Sequence, residues 1–344
     1  MRRFKIHTIM NITKALIPAL LLASLCACSC NRTSDGKTAN SDTFTSATVL
    51  GNFNADSAYR YIADQVAFGP RVPNTEAHAL CMDYLVGKLH SFGADTVIVD
   101  NGEGTVYTGD VLPIHNITAS YNMDAPRRVL LAAHYDSRPF ADWAHTPEAR
   151  TQPVLGANDG GSGVAVLLEI ARNLAIKKPN IGVDILLTDL EDYGDAGSFS
   201  FMNDTWCLGS QYWVKNMPRH IAENIPVYGI LLDMVGGIDA RFHYEAFSHE
   251  NAAMPSAKIW SEAQRLGLGN RFVPEIGGTI TDDHVVLTHA GIPTCDIIET
   301  NNHETSSFPP TWHTDMDDLE HIDKSTLADV GKTVLNIIYK EKAH

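Results

Sequence analysis

Cysteine is scarce in this chain, and what there is lacks the spacing of a metal site. Six cysteines occur in 344 residues, and Cys26, Cys28 and Cys30 crowd together near the start. The remaining Cys81, Cys207 and Cys295 form no CxxC pair, which argues against zinc binding through cysteine. At most one disulfide could form among them. Positive charge is also in deficit, with 26 Lys and Arg against 41 Asp and Glu and a net charge of −15. That balance argues against nucleic acid or an anionic membrane surface as the main partner. No internal repeat and no second hydrophobic core is visible. What is present suits a globular enzyme: 44% hydrophobic residues and 25 glycines leave ample material for a large core.

The N-terminus reads as a targeting segment and not as part of the fold. Arg2, Arg3 and Lys5 precede an apolar stretch, Ala15 to Ala27, that is too short to span a bilayer. Leu25-Cys26-Ala27 before Cys28 resembles a bacterial lipoprotein signal, which implies removal of residues 1–27 and lipidation of Cys28. A plain secretory signal is the alternative. The polar residues that follow read as a flexible tether over 28–51, leaving 52–344 as one catalytic domain. Either signal exports the chain, to the periplasm or to the outer membrane, with contact to lipid only through the anchor.

Within 52–344, apolar runs alternate with amphipathic stretches. Helices are predicted over 54–68, 75–92, 160–175, 254–266, 282–289 and 325–339. Strands are predicted at 96–99, 111–121, 127–133, 181–190, 227–234 and 294–298. The alternation predicts a single α/β domain with a mixed, mostly parallel central sheet flanked by helices on both faces. Two polar stretches, 137–155 and 193–208, read as long loops, the first too rich in Pro, Asp and Arg to be buried.

The informative stretch is IGVDILLTDLEDYGD, 181–195, an apolar strand leading into adjacent carboxylates Glu191 and Asp192. In an open α/β sheet, ligands bind beyond the carboxyl ends of such strands. Other polar residues follow apolar segments or open helices in the same way: His134 and Asp136 in HYDS, Asp159 in GANDGGSG, Asp233, Asp282-Asp283-His284, and Trp312-His313. Singly, each has an ordinary explanation, Asp159 as a helix cap or His313 as a loop histidine. Together at one sheet edge they cluster acids whose repulsion a cation relieves. Carboxylate and imidazole ligands with an open position suit zinc, whereas calcium prefers more oxygens and no imidazole.

HYDS, GANDGGSG, the acidic pair, TDDH and FPPTWHT together resemble the zinc-dependent aminopeptidase superfamily. Within it they are most similar to the glutaminyl-peptide cyclotransferases (glutaminyl cyclases), over about residues 128–317. The resemblance implies one zinc held by Asp159, Asp192 and His313. It implies Glu191 as general acid/base, Asp233 and Asp283 as hydrogen-bonded helpers, and Trp312 and Phe308 as walls of the substrate pocket. The substrates implied are peptides or proteins with N-terminal glutamine, cyclised to pyroglutamate with release of ammonia by a monomer. Two features depart from the animal enzymes of that family. They carry Glu–Glu where this chain has Glu191-Asp192. Their aromatic after the acidic pair has no counterpart at the same spacing, so Phe199, Phe201 or Trp206 would replace it.

Two other readings stand beside the cyclase. In a two-zinc aminopeptidase, His134 and Asp233 would hold a second metal, Asp159 would bridge, and Glu191 would activate water. A catalytically silent, peptide-binding envelope lipoprotein is the third, against which the intact ligand set and Glu191 count. Trp312 before His313 and the Asp282-Asp283-His284 triplet favour the cyclase.

Overall fold

The computed structural model describes residues 50–197 and 205–343. The signal segment, Cys28, nearly all of the predicted tether, Phe199 and Phe201 lie outside the described residues. In chain order the elements are α1 (Ala55–Val66), α2 (Glu76–Ser91), β1 (Thr96–Val99), β2 (Gly102–Thr105), β3 (Val111–Ile114), β4 (Ile117–Tyr121), β5 (Arg128–His134), α3 (Gly161–Ile176), β6 (Gly182–Thr188), α4 (Leu208–Lys215), α5 (Arg219–Ala222), β7 (Gly229–Leu232), β8 (Phe242–Tyr244), α6 (Ala246–Asn251), α7 (Ala253–Arg265), β9 (Phe272–Ile276), α8 (Asp283–His289), β10 (Thr294–Ile297) and α9 (Lys324–Lys340).

The central sheet has six strands in the order β1-β4-β6-β5-β7-β10. The neighbours β6, β5, β7 and β10 run parallel, whereas β4 and β1 are added antiparallel at one edge. Every residue of β5, β6 and β7 is buried, as a parallel strand covered on both faces requires. The alternation of side chains sorts them into two cores. Val129, Leu131, Ala133, Val183, Ile185, Leu187, Ile230 and Leu232 join α1, α2, α3, α7 and α9 on one face. Leu130, Ala132, Leu186 and Leu231 meet Trp213 of α4, Ile221 of α5 and Leu287 of α8 on the other.

Helix starts follow local chemistry. Asn54, Thr75 and Asp323 sit in extended backbone and accept the first free N–H groups of α1, α2 and α9, each such cap contributing about 1 kcal/mol. The close approach of α3 to β7 requires glycine: a Cβ on Gly163 would lie 2.1 Å from the Leu232 carbonyl oxygen.

Two expectations from sequence are corrected. The predicted strand 111–121 is two strands in two sheets, because β3 pairs with β2 and β4 joins the central sheet. The segment 137–155 is not wholly exposed: Ser137, Arg138, Ala141, Ala144 and Val154 are buried, since carbonyl partners satisfy its polar groups. The segment 193–208 ends at α4, with Cys207 capping it, and α4 and α5 together cover the second face of the sheet. Cys81, Cys207 and Cys295 are free and buried.

At the amino end of the parallel strands, Arg128 grips Asp184 through two hydrogen bonds of 2.8 and 2.7 Å, and Ser120 donates to the same carboxylate at 2.6 Å. Both charged groups are buried. Replacing Arg128 by Ala strands the Asp184 charge, and urea denaturation should show a loss of about 3–5 kcal/mol. Zinc content should be unchanged, because the whole length of β5, about 20 Å, separates Arg128 from the opposite sheet edge. A loss below about 1 kcal/mol would contradict this assignment.

Candidate metal and acid/base site

The strands deliver their polar residues to one edge. His134 ends β5, Asp136 follows it, and Asp233 follows β7. After β6 the backbone turns at Leu190 (φ 50°), so Glu191 and Asp192 stand beyond the strand and not within it. Cys207, Met234 and His313 also hold left-handed backbone, with φ of 58°, 47° and 54°. Such conformations cost about 1–3 kcal/mol each and cluster where a side chain must be aimed. At the start of α3, Gly160 has φ 72°, and a Cβ there would meet the Asp136 carbonyl oxygen at 2.8 Å.

Two carboxylates hold the backbone that presents the others. Asp136 accepts the N–H groups of Glu191 and Asp192 at 3.2 and 3.1 Å. Asp317 accepts those of Asn158 and Asp159 at 2.7 and 3.0 Å. Burial pushes the Asp317 carboxyl up to about 7, with the nearby Asp159 charge acting in the same direction.

The sequence-predicted ligands converge. One atom each from Asp159, Asp192 and His313 lies within 4.8 Å of the others, all three residues buried. His313 Nε2 is 3.1 Å from Asp192 Oδ1 and 3.7 Å from Asp159 Oδ2. Tetrahedral zinc with bonds of about 2.0–2.1 Å spaces its ligand atoms about 3.3 Å apart. Neither Asp192 oxygen has a hydrogen-bond partner despite burial, so these atoms face a shared point and not each other. The donor set fits zinc. Asp192 is pushed up by burial, and the Asp159 charge reinforces this against the pull of His313.

A second triad shares Asp159. His134 Nε2 lies 3.0 Å from Asp159 Oδ1 and 3.2 Å from Asp233 Oδ1, in hydrogen-bond geometry with Asp233. Burial opposes charge on His134, but the surrounding carboxylates of Asp136, Asp159 and Asp233 outweigh it and raise its pKa well above the ordinary value. Burial together with the Asp159 charge lifts Asp233 to about 6.

Glu191 turns away from Asp192 toward a third group. One atom each of Glu191, Cys207 and Asp282 lies within 4.8 Å of the others, and the Cys207 thiol donates to Glu191 Oε1 at 3.3 Å. Burial raises the Glu191 carboxyl well above its ordinary range; His134 opposes this, while Asp282, Asp192 and Asp283 add to it. Asp283, expected from sequence as a hydrogen-bonded helper, is buried beside this group, and its neighbour Asp282 is the one grouped with Glu191. Asp283 is turned onto Thr188, whose hydroxyl donates to it at 2.5 Å, whereas Asp282 caps α8 from its N-terminal side and so faces the strand ends.

Aromatic rings enclose His313. Trp312 stacks on it with centroids 3.8 Å apart, and Trp206 lies parallel at 6.2 Å. Phe308 packs on Trp312 at 4.4 Å, and the exposed Trp143 at 5.4 Å. Among the described residues, Trp206 is the one of the three aromatic candidates seen to lie against His313, while Phe308 backs Trp312. Trp143 was not foreseen, and neither was the pair that fixes the imidazole. Asp142 Oδ1 is 3.2 Å from His313 Nδ1, and Arg138 donates to Asp142 Oδ2 at 2.7 Å. Burial would raise the Asp142 carboxyl, but hydrogen bonds from His313 and Arg138 hold it down at about 2. Arg138 also donates to the carbonyls of Asp192 and Gly194 and lies 4.8 Å from the Trp206 ring centre. An Arg and an Asp four residues apart in the polar segment were its only trace in the sequence.

A carboxylate behind a ligating imidazole fixes its orientation and basicity. Replacing Asp142 by Ala should therefore weaken zinc binding about 10–100-fold in a chelator competition, with the fold intact by circular dichroism. An unchanged affinity would remove Asp142 from this role.

The model of peptidase family M28 matches residues 116–338, a span that includes each of these groups. The fold superposes on the structure of Bacteroides thetaiotaomicron glutaminyl cyclase bound to N-acetylhistamine, with TM-score 0.81, 47% identity, and coverage of 86% of this chain and 100% of that one. A Zn-dependent exopeptidase from Parabacteroides distasonis is similar to the same degree, with TM-score 0.81, 47% identity and the same coverage. The glutaminyl-peptide cyclotransferase of Bos taurus is 25% identical over 306 residues, covering 80% of this chain and 79% of the bovine one. With the matched span, the mostly parallel sheet and the site at its carboxyl edge in agreement, this chain belongs to peptidase family M28.

Proposed function

We propose that the chain is a zinc-dependent glutaminyl cyclase that converts N-terminal glutamine of peptides to pyroglutamate with release of ammonia, using one zinc. The observation that carries this reading is the asymmetry of the two triads around Asp159. In Asp159, Asp192 and His313, the donor atoms converge with both Asp192 oxygens unpartnered. In His134, Asp159 and Asp233, the imidazole is in hydrogen-bond geometry with a carboxylate, the contact expected if that triad carries a proton in place of a second metal. The similarity to solved glutaminyl cyclases supports the same reading.

The chemistry asked of the residues is modest. The substrate's α-amine attacks its own side-chain carboxamide carbon, the C–N bond to the amide nitrogen breaks, and ammonia leaves. Held bent, the peptide reacts within itself, so positioning supplies much of the rate. A zinc ion on Asp159, Asp192 and His313 would supply Lewis-acid polarisation of the amide carbonyl. Glu191 takes a proton from the attacking amine and returns one to the departing nitrogen. Burial raises its proton affinity above that of an ordinary carboxylate, which suits a group that must carry a proton between two nitrogens. Trp312 and Trp206 flank His313 and exclude the water that would divert the reaction to hydrolysis.

Two peptides differing only in N-terminal Gln or Leu decide between the enzyme readings. Ammonia release from the first, no cleavage of the second and one tightly bound zinc per chain are expected. Cleavage of the Leu peptide with two zincs per chain would make it an aminopeptidase. Glu191→Gln should lower kcat about 10²–10⁴-fold while zinc stays bound; loss of zinc in that variant would remove Glu191 from the acid/base role.

A further inference from the structure

The chain as a whole is acidic, but one of its faces is not. At the amino end of the parallel strands, opposite the candidate zinc site, lies a cavity of about 340 Å³. Arg127, Lys258, Lys340 and Lys342 line it against Glu262 and Glu341. Arg127 stands directly before β5, and Lys340 ends α9. Lys177, just past α3, joins the same surface. Its ammonium is 4.8 Å from the ring centre of Tyr339, whose hydroxyl donates to the Lys177 carbonyl at 2.9 Å.

The two carboxylates do not neutralise this set. Glu341 is taken by Lys258, with Arg127 Nη2 at 3.7 Å. Glu262 is taken by Lys340 and Arg265. Lys177, Lys178 and Lys342 are exposed, and among the described residues no carboxylate pairs with them. Helix C-termini favour lysine, which accounts for Lys177, Lys178 and Lys340 one by one. Arg127 ahead of a strand and Lys258 within α7 have no such reason to be there. The net charge of −15 led to the expectation of lipid contact through an anchor alone. Charges more than about 8 Å apart are screened at physiological salt, however. The acids at the opposite sheet edge, about 20 Å off along β5, therefore leave this face positive.

Residues 50–52 are fastened to the same face. The Leu50 N–H donates to Asn336 Oδ1 at 2.5 Å, and Asn336 donates to Glu262 Oε1 at 2.9 Å, the carboxylate that holds Lys340. The Asn52 N–H donates to Asn173 Oδ1 at 2.8 Å, and Arg172 donates to the Asn52 carbonyl at 3.0 Å. What precedes residue 50 therefore joins the domain beside the basic cavity and far from the zinc ligands. With Cys28 lipidated, a flexible coil from there to Leu50 spans about 25 Å, which keeps this face within reach of a bilayer.

We propose that this face docks on an anionic phospholipid surface, with Arg127, Lys177, Lys258, Lys340 and Lys342 meeting the lipid phosphates. Ile176, 69% exposed beside Lys177, is the apolar residue placed to enter the headgroup layer. Docked in this way, the domain turns the carboxyl edge of its sheet, and with it the candidate active site, away from the membrane and toward soluble peptides. The cyclase reading does not enter, because neither zinc nor turnover is needed for the contact.

The test places the full chain on vesicles of phosphatidylcholine alone or of phosphatidylcholine and phosphatidylglycerol in equal parts. An amine-acylating reagent then labels exposed lysines, which are read by mass spectrometry. Lys177, Lys340 and Lys342 should be acylated several-fold more slowly on the anionic vesicles, and high salt should abolish the difference. Lys324, at the other end of α9 and about 24 Å away, should react equally on both. Replacing Lys177 and Lys342 together by Gln should lower the excess of flotation with anionic over neutral vesicles about tenfold or more, with circular dichroism and zinc content unchanged. Equal acylation on the two vesicle types, or an unchanged excess in the double variant, would overturn the proposal. Protection of Lys324 as strong as that of Lys342 would mean adsorption by no particular face and overturn it as well. Equal protection by inorganic phosphate at the same phosphate concentration would make the cavity a soluble-anion site instead of a membrane contact.

Discussion

The constraint on which this structure depends is the burial of like charge at one sheet edge. Asp136, Asp159, Glu191, Asp192, Asp233, Asp282, Asp283, Asp296 and Asp317 are all at most 8% exposed. A buried carboxylate without compensation is costly, so each must be answered locally. The compensation comes in three kinds. Backbone N–H groups answer Asp136 and Asp317. Imidazoles stand against Asp159, Asp192 and Asp233. Protons or a metal ion must answer the remainder, and that requirement is the source of the chemistry.

The three kinds divide labour along the edge. Asp136 and Asp317 spend their charge on backbone, which holds Glu191, Asp192 and Asp159 in the turns that present them. Both Asp192 oxygens stay without a hydrogen-bond partner beside Asp159 and His313, as a group able to take a cation would. Glu191 lies among acids and a thiol, where charge is disfavoured and a proton is readily exchanged. Adjacent residues thus acquire opposite properties from their neighbours and not from their own chemistry. The left-handed backbone at Leu190 and His313 is the conformational cost of aiming them.

Much of the fold was legible. Strands such as β5 and β6 are readable from their apolar runs, Val129 to Ala133 and Ile185 to Leu187, because burial on both faces selects apolar side chains except where polar ones are paired. The helices predicted over 54–68 and 75–92 were readable from their periodicity, and Asn54 and Thr75 cap them in the structure. The elements that were missed, α4, α5, α6, β2, β8 and β9, are short, so their periodicity carries little signal. The strand predicted over 111–121 shows the same limit, because hydrophobic pattern does not say that two halves of a run enter different sheets.

Sequence by itself determined the metal-ligand types, the acidic pair and the family resemblance, since these are matters of residue identity and local spacing. Tertiary structure alone decided which Asp of the Asp282-Asp283 pair meets Glu191, which aromatic covers His313, and that Asp142, Arg138 and Cys207 belong to the site. The physical reason is range. Those contacts join α4, α8 and two loops far apart in the chain, and their partners are chosen by how helices dock on the sheet. Even the different surroundings of Glu191 and Asp192 arise in a turn that Asp136 holds from just beyond β5.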